Sequence, residues 1–171
     1  MPAKPERGGS RDPATENFMS ACAQLRAHPL FAPLYDRVAI IRVERNLCPP
    51  RGWAVVTSNG YVHVHPKRRG EPAEWLYVLA HCLLHLGFGH VRERPRFREW
   101  NAACDCFLAR FLADLKLGRP PEDMLIATDF PARGEDRLHA FFCEHGIPRQ
   151  WREAGTAGPG NRAIWSSRTS R

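Results

Sequence analysis

Ala80-His81-Cys82-Leu83-Leu84-His85-Leu86-Gly87-Phe88-Gly89-His90 is the stretch from which the fold is read. Two histidines stand four apart in an apolar run with helical character. On a helix, positions i and i+4 share a face, so His81 and His85 can point at one atom. Two imidazoles at that spacing are half of a zinc site. Gly87 and Gly89 end the helix and free the chain to turn, so His90 can fold back onto the same place. In a helical zinc hydrolase motif, a glutamate follows the first histidine and serves as general base. This chain has Cys82 there.

Working outward, Glu71-Pro72-Ala73-Glu74 opens the helix, with proline in the first turn and acids at its positive end. The pattern runs to about Leu86. Trp75, Leu79, Cys82 and Leu86 make one apolar stripe, with Leu76 and Leu83 beside it. Val78, His81 and His85 form the adjacent stripe, at the border of the buried face. Phe97 to Leu117 is the longest helical pattern. Trp100, Cys104, Phe107, Phe111 and Leu115 trace its core face. Gly118 is placed as its cap, and Pro120-Pro121 prevent continuation. Asn101 and Asp105 lie one turn apart on a neighbouring stripe. Asp105 is an acid in the middle of an apolar helix, and is either a metal ligand or an acceptor that fixes an imidazole tautomer.

On the N-terminal side, Asp12-Pro13 starts a helix through Phe18, Cys22 and Leu25 to about Ala27, and His28-Pro29 ends it. Leu30 to Asp36 holds a short helical turn. Val38 to Val43 is apolar and partly β-branched, which predicts a strand. Trp53–Thr57 and Tyr61–His65 flank Ser58-Asn59-Gly60, a strong hairpin signal. In the second of these strands Val62 and Val64 face one way, and Tyr61, His63 and His65 the other. Pro66 to Gly70 is a basic loop. Met124 to Phe130 reads as extended. Glu135 to His145 is a last helix, with Leu138, Phe141, Phe142 and His145 on one side and Gly146 closing it.

The chain has 171 residues, enough for one domain with a real core. Residues 1–12 read as a disordered tail, 13–150 as the domain and 151–171 as a basic flexible tail. No apolar run approaches the roughly 18 residues that a membrane helix needs, and the N-terminus lacks the apolar core of a signal peptide. The expected compartment is the cytoplasm, with no membrane partner. Of six scattered cysteines without a C-x-x-C pair, most read as buried apolar residues. The net charge is +7. From Arg149 onward, five arginines against Glu153 leave +4. Lys67-Arg68-Arg69 and Arg92, Arg94, Arg96 and Arg98 bracket the histidine helix. Such clusters suit nucleic acid or an acidic partner, but no nucleic-acid motif accompanies them, and nucleic acid is the less favoured partner.

Leu79-Ala80-His81, His85 and His90, followed by Trp100-Asn101-x-Ala103-x-Asp105, resemble the bacterial metallopeptidase-like (zincin-like) domain found with AAA-type ATPases and von Willebrand A-type domains. Its members typically read H-E-x-x-H-x-x-x-x-H, then W-N-x-A-x-D. His28-Pro29-Leu30-Phe31, the Asn59-Gly60 hairpin, Pro66 and Gly146-Ile147-Pro148 fall in the matching order, so the resemblance covers roughly residues 16–150. It implies an α+β, zincin-like fold: a small antiparallel sheet packed on the metal-site helix, with a second long helix. It also implies Zn²⁺ at His81, His85 and His90, with Asp105 at the acidic position, and a peptide or protein partner, an AAA-type ATPase among them. The chain departs from the pattern twice. It ends too early to hold a von Willebrand A-type domain, and Cys82 replaces the glutamate.

A bound metal lowers the pKa of its water, and the glutamate takes the proton and passes it to the leaving amine. Loss of a general base costs ~10²–10⁴ in rate, while the ligands stay in place. The expectation is therefore a zinc-binding domain with impaired catalysis that binds a peptide or partner. An active zinc metallopeptidase with an unusual base is the alternative, with Glu144, Glu93 and Glu99 as substitutes for Cys82 and with Arg92 and Arg94 available to a substrate carboxylate. His63 and His65 would lie on a sheet edge that can take an extended peptide. A basic nucleic-acid-associated adaptor, in which the histidines merely pack, is a third alternative.

Overall fold

A computed structural model describes residues 12–50, 52–91, 94–124, 129–130 and 132–148. In chain order these form α1 (Pro13–Ala27), α2 (Ala32–Tyr35), β1 (Ala39–Ile41), β2 (Ala54–Val56), β3 (Tyr61–Val64), α3 (Pro72–Gly87), α4 (Phe97–Leu115) and α5 (Glu135–His145). The class is mixed α+β. Residues 1–11 and 149–171, which hold the expected tails 1–12 and 151–171 apart from Asp12, lie outside the described residues, as do Arg92, Glu93 and most of the Met124–Phe130 stretch.

The histidine helix α3 is the centre of the packing. Every residue from Trp75 to His85 is buried, because α1, α2, β2 and α4 all pack on it. Pro72 fits the first turn, and the Glu74 carboxylate accepts the Glu71 N–H at 2.8 Å, so a free donor at the helix start is satisfied. Trp75 anchors the core face. Its ring meets Phe18 of α1 edge-on at 5.4 Å and Trp53 at 4.9 Å. Such pairs contribute about 0.5–1.5 kcal/mol each beyond area burial. No described helix is long and apolar enough to cross a membrane.

The sheet has the order β1-β3-β2. The Asn59-Gly60 turn joins β2 and β3 as an antiparallel hairpin, with Gly60 at φ 84°. Val62 and Val64 are fully buried and Tyr61 is exposed, as the alternation predicts. The sheet is not wholly antiparallel as expected: β1 pairs with β3 in parallel, Ile40 opposite Val62. The long connection from Arg42 to Trp53 carries the chain past β3 before the hairpin forms, which permits that direction. β1 is also shorter than Val38–Val43. Arg42 leaves it to lay its guanidinium over the Phe18 ring, 4.8 Å from the centroid.

Two helix caps differ from the expectation. Asp12 makes no side-chain cap bond to α1. At the end of α4, Lys116 takes the left-handed conformation (φ 54°), two residues before Gly118. Gly118 is needed elsewhere. There the chain crosses the start of α3, where a Cβ would stand 2.6 Å from the Ala73 carbonyl and 2.7 Å from the Tyr77 nitrogen. Arg119 then donates its N–H to that same carbonyl at 3.0 Å.

α5 rests on a separate small core. Leu138 and Phe142 pack against Ala102, Ala103 and Cys106 of α4, with Ile147 alongside. Small residues on α4 allow the close approach. α4 therefore touches the main core through Leu108 and Leu112, and the satellite through its alanines.

Candidate metal centre

The i, i+4 spacing on α3 brings His81 and His85 onto one face, and α4 lays Asp105 across both. His81 Nε2 lies 2.9 Å from Asp105 Oδ1. His85 Nε2 lies 3.1 Å from the same oxygen and 2.9 Å from His81 Nε2. The other Asp105 oxygen accepts from Asn101 Nδ2 at 3.2 Å, one turn back on α4, so the carboxylate is held on both sides. His81, His85 and Asp105 form the group of potential metal donors found among the described residues.

The proton count at this triangle is informative. Burial, the largest influence, lowers the His85 pKa to about 3, and the hydrogen bond to the Asp105 carboxylate only partly offsets it. Burial pushes Asp105 up, but the bonds and charges of His81 and His85 outweigh that and leave it lowered. At neutral pH the centre thus holds a neutral His85 beside an ionised Asp105. With Asp105 ionised, no placement of protons gives all three close pairs one donor and one acceptor. Protons on both Nε2 atoms set two donors face to face. A proton on one leaves the other nitrogen's lone pair against the carboxylate. A single cation satisfies all three atoms at once. Edges near 3.0 Å are a few tenths of an ångström shorter than the roughly 3.3 Å between donors of a tetrahedral ion about 2.0–2.1 Å from each. The protonation state is also the one that ligation requires.

His90 is carried back by the turn after α3. Its N–H bonds to the His85 carbonyl at 2.9 Å, and Gly89 takes φ 67° to allow it. The ring packs edge-on against His85 at 5.3 Å, stacks on Phe88 at 5.6 Å, and meets Trp100 edge-on at 5.8 Å. His90 is not in the three-donor group. Its Nε2 pairs instead with Glu135 Oε1 at 3.2 Å, and its Nδ1 is buried without a hydrogen-bond partner among the described residues. Burial lowers its pKa against the opposing pull of Glu135. The structure thus brings His81, His85 and Asp105 together and sets His90 one ring further out.

Cys82 belongs to the main apolar cluster and is 1 % exposed. Burial raises its thiol pKa well above the ordinary value, so it is not a thiolate at neutral pH. Of the substitute bases, Glu144 is an exposed acid near His145, and Glu99 pairs with Arg96 at 2.9 Å. Arg94 lies over the Trp100 ring, 3.9 Å from the centroid, and pairs with Asp136 at 2.6 Å. His65 accepts from the Lys67 N–H at 3.2 Å within a turn, and burial lowers the pKa of His63. In the basic loop, Lys67 pairs with Glu44, and Arg68 pairs with Asp123 while lying over Trp53. Two of its three cations are thus already engaged.

Sequence reasoning missed two residues at the centre. Tyr77 is buried one turn before His81, with ring centroids 6.1 Å apart, and its i−4 spacing was the available signal. Glu135 carried no signal beyond its place at a helix start. No family model, no curated protein and no solved structure matches the chain.

Proposed function

We propose that this chain is a zinc-binding, zincin-like and metallopeptidase-like domain with impaired catalysis, which serves to bind a peptide or protein partner. The carrying observation is the His81–His85–Asp105 triangle, whose three atoms cannot satisfy one another by protons alone. Two imidazoles and one carboxylate suit Zn²⁺, and they also suit Fe²⁺. When bound, the metal would act as a Lewis acid on an oxygen ligand. The chain's own residues hold the donors: α3 supplies the nitrogens, and Asn101 orients the carboxylate.

Two features support impairment. A catalytic site keeps one position open to water and substrate, whereas structural sites are closed. Here His81 is fully buried, His85 is 1 % exposed and Asp105 is 9 % exposed. The residue that would act as base is Cys82, packed in apolar surroundings. A partner such as an AAA-type ATPase rests on the sequence resemblance alone.

The active-peptidase reading has one observation in its favour. Glu135 supplies a carboxylate that the helix motif lacks, hydrogen-bonded to His90 beside the centre. Metal analysis of the purified protein tests both readings together. Stoichiometric zinc is expected, and its loss in His81→Ala and His85→Ala; a metal-free protein ends the proposal. Peptidase assays of the native protein beside Cys82→Glu separate the two. If the native protein cleaves as fast, the impaired reading is wrong. Salt-dependent binding of DNA or RNA would favour the adaptor instead.

A further inference from the structure

We infer that Glu135 is a positioning residue of the metal centre: acting through His90, it makes ion affinity depend on the seat of α5. The inference rests on the metal-binding reading above and adds a residue and an element to it.

A carboxylate can only accept, so the 3.2 Å contact places the His90 proton on Nε2. Nδ1 then carries a lone pair, buried and without a hydrogen-bond partner among the described residues. The ring cannot swing to expose it. Phe88 lies flat on one face, Trp100 meets it edge-on, and the Trp100 indole N–H holds the His90 carbonyl at 3.1 Å. His85 and Phe107 also meet the ring edge-on, at 5.3 and 6.2 Å. Glu135 therefore fixes the tautomer of a ring that packs on His85 from outside the three-donor group, much as an outer carboxylate orients a histidine at a metal site.

Glu135 is also the first residue of α5, and α5 is held by the satellite cluster and by the exposed Arg94–Asp136 pair. A displacement of α5 removes Glu135 from His90. Conversely, an ion that orders His85 and the ring packed on it favours the seated helix, since coupling between sites is reciprocal. A partner that engages α5 would change metal occupancy without touching the donors.

The test is Zn²⁺ titration by chelator competition, with Asp136→Asn as control. Asp136 shares the helix start and the seat of α5 but not the contact with His90. Glu135→Ala is expected to weaken binding roughly 10–100-fold, and Asp136→Asn by no more than about twofold. Wild-type affinity in Glu135→Ala overturns the inference. Imidazole ¹⁵N shifts of the metal-free protein give a second readout that needs no ion. His90 is expected as the Nε2–H tautomer in the wild type and as a mixture in Glu135→Ala. A wild-type Nδ1–H tautomer with zinc binding intact overturns the role of Glu135 alone. The expected tautomer in a protein that binds no zinc overturns the metal reading, and the inference with it.

Discussion

Asp105 and Glu135 both offer a carboxylate to a histidine nitrogen, at 2.9 and 3.2 Å, but they are built differently. Asp105 sits inside a long helix. Its side chain is 13 % exposed, and Asn101 holds its second oxygen. Glu135 stands at the first residue of a short helix with a side chain 28 % exposed, and its seat depends on the small cluster around Leu138 and Phe142. The first contact is fixed by the main core. The second is fixed by an element seated on the satellite cluster. A buried centre can thus have one carboxylate that defines it and another that tunes it.

The sharpest way to break this contrast is Asp105→Ala. It is expected to cost more zinc affinity than the roughly 10–100-fold of an outer-layer change, read by chelator competition. Equal losses at Asp105 and Glu135 would erase the distinction. Next, Leu138→Ala should destabilise the protein by about 2–5 kcal/mol, read by denaturant melts. Amide exchange should then rise in α5 before α3; simultaneous opening would show that the satellite is part of the main core.

The pH dependence of the metal-free protein follows. The folded-state pKa of His85 is lowered from 6.5 to about 3, so the unfolded chain binds more protons once the pH falls below 6.5. Its stabilisation is therefore present above that value and is lost on acidification towards 3, by up to about 1.4 kcal/mol per pH unit. His90 is lowered in the same direction, with Glu135 opposing. A melting temperature that stays flat from about pH 7 to 5 would deny that His85 and His90 are buried neutral. The smallest effect is Cys82→Ala, at about 1 kcal/mol of stability with zinc affinity unchanged. A large change in affinity would place Cys82 at the centre.

The His81–His85–Asp105 centre was legible because its geometry is local in each helix. Four-residue spacing sets the two imidazoles, and an acid inside an apolar stripe marks itself as buried with a partner. Asn101, one turn before Asp105, was legible in the same way. Glu135 was not, because its meeting with His90 depends on how α5 docks, and a helix start attracts acids for reasons of its own dipole. The parallel pairing of β1 was hidden likewise. Periodicity states which face of a strand is buried, and says nothing of its neighbour's direction. The Lys116 cap was missed because Gly118 looked like the natural stop, whereas its small size serves the crossing over α3.

The depth of the centre also governs time. Donors that water scarcely reaches can exchange an ion only when the structure opens locally. Release of zinc to a chelator should therefore proceed at the rate of that opening, independent of chelator concentration. An ion once taken up would then outlast short fluctuations in supply.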